Sequence, residues 1–380
     1  MGRRVVVISV LLVTSIVSAG ASDVATVGSA TGWTVVPAEH VAGQADVFRA
    51  VVAPAAGDVW AIGYAVDNAT PVSKFHTLAE HINGDSFEIV PTPDPASANN
   101  RLDAAAASAP DDVWAVGSSA PDILHSDTLI EHWNGTAWSI VDGPSPSGSD
   151  LLQAVTVVSR DDAWAGGSSG LPGAAVGLAL HWDGVQWKQV RVPVPARCGG
   201  DSQITGMSAV SATSVWASGW CATSGAPDAG YVIHWDGKAW RFASRGQIPT
   251  SSELLAIHAR NDHDVWTVGQ YVHGAPLEAS GMSAHWDGKS WSAPAPAPGA
   301  IRLDGVEAGS RGVWSVGAEP DAPFAPPWSG RFTAGAWHAK PVRVKIGYLP
   351  AITTDAAGRL WAAGAQDLDS GDTAALVLTR

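Results

Sequence analysis

A tryptophan set in a D-V-W-A-V-G-like string recurs seven times in this chain, at Trp60, Trp114, Trp164, Trp216, Trp266, Trp314 and Trp361. The copies stand 47 to 54 residues apart. A period of that size marks an array of supersecondary units that bury their faces against one another. An apolar residue precedes six of the tryptophans by twelve positions: Phe48, Leu102, Leu152, Ile204, Leu254 and Leu349. In the sixth unit Leu303 stands one position nearer.

Each unit reads as four strands. The first is a small-residue run such as "LDAAAAS", and the second is "VWAVGS". The third ends in His-Trp, and the fourth opens on a further Trp. Between the last two stands Asn-Gly or Asp-Gly, as in "HWNGTAW" and "HWDGKAW". That pair predicts a hairpin, since type I′ turns need positive φ. A four-stranded sheet repeated radially every ~50 residues is a β-propeller. The seventh unit stops at Arg380 with no fourth strand, while "TGWTVV" (31–36) supplies an unassigned one. The expected fold is therefore all-β: a seven-bladed propeller of four-stranded blades, starting near residues 48, 102, 152, 204, 254, 303 and 349. The N-terminal strand completes the last blade and removes an open sheet edge.

The repeat absorbs most of the 19 tryptophans. Seven lie on second strands. Trp138, Trp187, Trp240, Trp291, Trp337 and Trp33 open fourth strands, with Phe87 in their place in blade 1. Trp133, Trp182, Trp235 and Trp286 follow the histidine. Rings at matching positions are expected to pack between blades, each burying about 150–250 Å². The recurring histidines are His81, His132, His181, His234 and His285. Ring geometry holds them apart, whereas a metal site needs ligands around one centre. A structural role is expected, such as hydrogen bonding to a neighbouring turn.

Residues 1–21 follow a signal-peptide pattern: Arg3 and Arg4, an apolar run from Val5, then Ala19-Gly20-Ala21. The expectation is export, with residues 22–380 as one secreted, monomeric domain and no membrane span. A formal net charge of −14 without basic runs argues against nucleic acid. The two cysteines, Cys198 and Cys221, are expected to pair in an exported chain. Both fall on the face that carries the blade-to-blade connections, here called the loop face. Asn68 and Asn134 stand in glycosylation sequons.

Unit length, the Gly after the second strand and the Trp opening the fourth resemble kelch and galactose-oxidase-type propellers. The "DVWAVG" and "HWDG" strings are more similar to secreted Trp-rich propellers of actinobacteria. The chain departs from kelch repeats in having single glycines, with a Gly pair only in "WAGG" (164–167). Galactose-oxidase chemistry would need two Tyr and two His converging and a Tyr linked to a Cys. Only Tyr64, Tyr231, Tyr271 and Tyr348 exist, and the cysteines are expected in a disulfide. "TTDAAGRLW" (353–361) loosely resembles the Asp-box of sialidases, itself a structural turn. No arginine trio is placed on the inner strands. No catalytic, cofactor or metal residues are assigned.

Two binding areas are expected. Trp220 and Trp328 fall outside the repeat, Tyr271 is placed at the offset that Trp220 holds, and Phe324 lies near Trp328. Together they predict an aromatic sector over blades 4 to 6 of the loop face. The second area is the mouth of the central channel. The residue after the apolar start of each inner strand is Arg49, Asp103, Gln153, Thr205, Leu255, Asp304 and Pro350 in turn. An extracellular glycan or protein ligand is the expected partner, with a shallow hydrolase or lyase site as a less favoured alternative.

Overall fold

The computed structural model describes residues 32–38, 44–67, 73–95, 99–122, 124–196, 198–223, 226–243, 248–249, 251–273, 278–320, 325–344, 347–368 and 373–380. The signal-peptide pattern, Asn68 and Phe324 lie outside them. Seven four-stranded antiparallel sheets form the ring. Their inner strands are Gln44–Ala55, Asn99–Ala109, Asp150–Ser159, Ser202–Ser211, Ser252–Asn261, Arg302–Gly309 and Gly347–Thr354. Each contains the apolar residue named above, which is fully buried. Closure follows the expected route: Thr34–Val36 pairs with Thr373–Thr379 and becomes the outer strand of blade 7. Among the described residues no helix is long and apolar enough to cross a membrane.

The seams between blades are filled with aromatic rings. Trp60 of blade 1 meets Trp133 and Trp138 of blade 2 at centroid distances of 4.9 and 5.2 Å. Trp114 meets Trp182 and Trp187, and Trp164 meets Trp235 and Trp240, in the same arrangement. Trp216 meets Trp286 and Trp291, while Phe332 stands in for the third-strand Trp beside Trp266. Trp314 packs edge-on against Trp33, so the closing strand supplies the ring of its own seam.

The repeated histidine belongs to this architecture. His81, His132, His181 and His285 lie 2.7–2.9 Å from Asp58, Asp112, Asp162 and Asp264, which open the second strands. The same rings stack on Trp60, Trp114, Trp164 and Trp266 at 4.3–4.4 Å. In blade 4 Ser214 takes the aspartate's place beside His234. The expected two-residue turns are replaced by four-residue loops in four blades. Trp133 pairs with Trp138, and the Asn134 carboxamide oxygen accepts the backbone N–H groups of Thr136 and Ala137. Gly135, Gly184, Gly237 and Gly288 still hold positive φ in these loops. A turn with both central residues at positive φ occurs in blade 6, at Ala334 (52°) and Gly335 (81°).

Candidate site at the loop-face mouth of the channel

The glycine that closes each "WAVG" string shapes the channel mouth. A Cβ on Gly63, Gly117, Gly167, Gly219, Gly269, Gly317 or Gly364 would lie 1.9–2.2 Å from an inner-strand carbonyl oxygen. No side chain fits there, so the two backbones approach closely only at glycine. At the same level every inner strand shifts register against the second strand. The residue left out of the pairing is Arg49, Asp103, Gln153, Thr205, Leu255 or Asp304 in blades 1 to 6. In blade 7 the shift spans Leu349 and Pro350. A bulge re-aims the side chain of its extra residue. The ring of polar positions read from the sequence is thus a ring of seven bulges.

These side chains do not act alike. Asp103 takes ion pairs from Arg49 Nε (3.4 Å) and Arg101 Nε (2.9 Å). Asp304 receives a hydrogen bond from Arg302 Nε at 2.7 Å. Tyr348 and Tyr64 also lie close enough to Arg49 to act on its charge, and that charge reaches Asp304. Arg101, Asp103, Arg49, Asp304 and Arg302 therefore form a row of alternating charge drawn from blades 2, 1 and 6. Burial acts against the Arg49 charge, but Tyr348, Asp103 and Tyr64 outweigh it and raise its pKa. Burial pushes the Asp304 carboxyl up, opposed by Arg302 and Arg49. Glu253 is raised by burial and by Asp228, and its carboxylate accepts a hydrogen bond from Gln270 at 3.0 Å. Three acceptors at this level are buried without a well-aligned hydrogen bond: Asp103 Oδ2, which still has the Arg101 ion pair, and Gln153 Oε1 and Asp304 Oδ2, which have no partner. Thr205 is spent on architecture, donating to the Leu254 carbonyl of blade 5 at 2.6 Å.

The expected absence of an arginine trio on the inner strands is overturned, because Arg49, Arg101 and Arg302 all stand there. Arg101, Glu253, Arg302 and Tyr348 were missed because the sequence reading took only the residue after each apolar anchor. These four occupy the position before it.

The aromatic sector changes more. Trp328 is 2% exposed, donates its indole N–H to the Pro298 carbonyl at 3.1 Å and packs edge-on against Trp337. It is a core ring under the blade 5–6 connection, not a displayed one. Tyr271 does not share the offset of Trp220. Trp220 pairs with Gln203, while Tyr271 pairs with Ser252, the register place that Cys221 holds opposite Ser202 in blade 4. Successive strand residues point to opposite faces. Trp220 therefore shares a face with Trp216, which packs on blade 5, and Tyr271 packs against the seam cluster that Trp216 and Val232 of blade 4 form with blade 5. Both half-buried rings border the gap between blades 4 and 5.

Cys198 and Cys221 are disulfide-bonded, tying the blade 3–4 connection to the second strand of blade 4. Asp355, in the Asp-box-like string, accepts the backbone N–H groups of Ala357 and Arg359 and the indole N–H of Trp361 at 2.9–3.1 Å. It is a turn-forming residue. A groove of about 400 Å³ at the outer edge between blades 3 and 4 is lined by Val190, Val192, Pro193, Trp235, Lys238 and Trp240, among others. Its lining holds no carboxylate or histidine. Among the described residues no cluster of three or more His, Cys, Asp or Glu is placed to hold a metal ion.

No protein-family model matches the chain, and no curated protein matches it. Solved structures do. A streptogramin B lyase superposes with a TM-score of 0.58 at 13% identity, covering 91% of this chain and 96% of that one. Virginiamycin B lyase from Staphylococcus aureus gives 0.57 at 16%, covering 88% and 94%. YCF48 bound to a D1 peptide gives 0.55 at 14%, covering 90% and 98%. At these identities the likeness is one of architecture: the chain shares the propeller fold of these proteins.

Proposed function

We propose that this chain is an exported binding propeller that takes its ligand at the loop-face mouth of the central channel, with a glycan as the leading ligand class. The observation that carries this reading is the pair of buried acceptors without partners, Gln153 Oε1 and Asp304 Oδ2, inside a ring of charged side chains. Buried polar atoms are ordinarily hydrogen-bonded, so unpartnered ones at an opening call for donors from outside the protein. The bulges bring residues from different blades together, which suits one ligand contacted from several sides. Half-buried Trp220 and Tyr271 add aromatic surface at the blade 4–5 rim. YCF48, of the same fold, has been solved with a peptide bound, so a peptide arm belongs in the test.

The test is a glycan array, a polysaccharide pull-down and a peptide array with residues 22–380 beside a Gln153→Ala/Asp304→Asn variant. Binding lost in the folded variant supports a mouth site. Binding kept by the variant but lost in Trp220→Ala moves the site to the blade 4–5 rim. Peptide capture without glycan capture overturns the glycan reading.

A further inference from the structure

The mouth carries chemistry for one functional group in particular, and the inference rests on the reading that ligand binds there. Arg101 and Arg302 each meet their aspartate through Nε. Nε lies on one side of the guanidinium fork, and the two terminal amino groups lie on the others. Among the described residues nothing accepts a hydrogen bond from the terminal amino groups of Arg101 or Arg302. Both side chains are 42% exposed, so the forks stand in reach of solvent. The aspartates that hold them are nearly closed off, Asp103 at 7% and Asp304 at 12% exposure. A guanidinium held from behind by a buried carboxylate and open in front is pre-organised for a planar anion.

The row from Arg101 to Arg302 holds three guanidinium groups against Asp103 and Asp304, with Glu253 near enough to Arg302 to feel its charge. Beside it, Gln153 Oε1 and Asp304 Oδ2 require donors rather than further acceptors. One ligand must therefore bring an anionic group for the forks and hydroxyl or N–H donors for the acceptors.

We infer that the mouth recognises a carboxylate-bearing saccharide, a hexuronate residue of an acidic polysaccharide, with the carboxylate on Arg302 or Arg101 and ring hydroxyls donating to Asp304 and Gln153. A uronate carries the carboxylate and the donor hydroxyls on a single ring. A neutral sugar leaves the forks empty, and a sulfate ester alone leaves the acceptors empty.

The measurement is isothermal titration of residues 22–380 with oligogalacturonate, with the neutral oligosaccharide of the same length and with a peptide ending in a free carboxylate. Oligogalacturonate is expected to bind more tightly than the neutral sugar and to weaken as salt is raised. Arg302→Gln and Arg101→Gln should each cost about tenfold to a hundredfold, the range for a hydrogen bond to a charged group. Arg302→Lys, which keeps the charge and loses the fork, should recover only part of the loss. An Arg302→Gln/Asp304→Asn variant guards against a fold defect from a buried, uncompensated aspartate, and thermal melting verifies that each variant is folded. Equal binding of neutral and acidic sugars, or acidic-sugar binding untouched by both arginine variants, overturns the carboxylate assignment and leaves the mouth reading standing. Binding of the peptide alone overturns the saccharide. No binding of any probe by the folded protein overturns both readings.

Discussion

At the hairpin end of the blades the same side chains return around the ring, whereas at the loop end no rule of repetition holds. The second-strand tryptophan, its stacked histidine and the partnering aspartate recur in four blades with distances that agree within 0.2 Å. The bulge positions at the mouth instead read Arg, Asp, Gln, Thr, Leu, Asp and Pro from one blade to the next. Both ends obey the same sevenfold backbone, since the glycine and the register shift recur in every blade. Where backbone and side chain both repeat, the side chain serves the ring. Where only the backbone repeats, the side chain is free to serve a ligand.

The comparison breaks first at a seam. Trp164 is fully buried against Trp235 and Trp240. Trp164→Ala should cost about 3–5 kcal/mol in denaturant unfolding, the range for removing a buried large ring.

Next comes a third-strand position that differs between blades, with buried Glu80 and Glu131 in blades 1 and 2 and Leu180 in blade 3. Glu131 is fully buried on the third strand of blade 2, with neither carboxylate oxygen hydrogen-bonded, where blade 3 carries Leu180. Burial, then the nearby Asp94, pushes its pKa up to about 8. The folded chain therefore keeps a proton there that the unfolded chain releases near its ordinary carboxyl pKa. Stability from this group is whole at low pH and falls as pH rises towards 8. Glu131→Leu should flatten that slope and stabilise the protein at pH 8 by on the order of 3 kcal/mol. Urea titrations at pH 5 and pH 8 measure both effects, and equal slopes for both proteins would remove the claim.

Reduction of the Cys198–Cys221 bond, which closes a span of 23 residues, should cost about 3 kcal/mol in the chain-entropy picture. Thermal melting with and without reductant tests it. The smallest effect sharpens the seams. The indole N–H groups of Trp138, Trp187 and Trp240 are buried without acceptors. Trp337 and Trp33 instead donate to Ser283 and Ser329 at 2.9 Å. Ala179 faces Trp240 in the shared core cluster and holds the third-strand place of Ser283. Ala179→Ser should therefore gain about 1 kcal/mol, the net value of one hydrogen bond.

The ring was legible in the sequence because it is written seven times over. The Trp period, the orphan strand around Trp33 and the cysteine pair each had one physical outcome. The mouth was half legible. Counting from Leu102 or Leu303 found Asp103 and Asp304, yet it passed over Arg101 and Arg302, which hold them from the preceding position. Periodicity alone does not show that a bulge re-aims a side chain relative to its neighbours. Trp328 read as a surface ring because it broke the repeat, but a connection covers it and the Pro298 carbonyl occupies its N–H. The offset of Tyr271 from Trp220 was misjudged by one residue, and in a strand one residue exchanges the two faces.

The division between a repeating frame and a variable mouth is tested most directly by parallel thermal melts of the wild type, Trp164→Ala and Gln153→Ala/Arg101→Gln. The mouth pair removes a carboxamide whose oxygen is unpartnered and one of the two arginines on Asp103, so no buried charge is left alone. The account predicts a mouth variant within about 0.5 kcal/mol of wild type, beside a seam variant lowered by several degrees. A mouth variant that melts as early as Trp164→Ala would mean that the charged row holds the ring together, and would contradict its assignment to ligand.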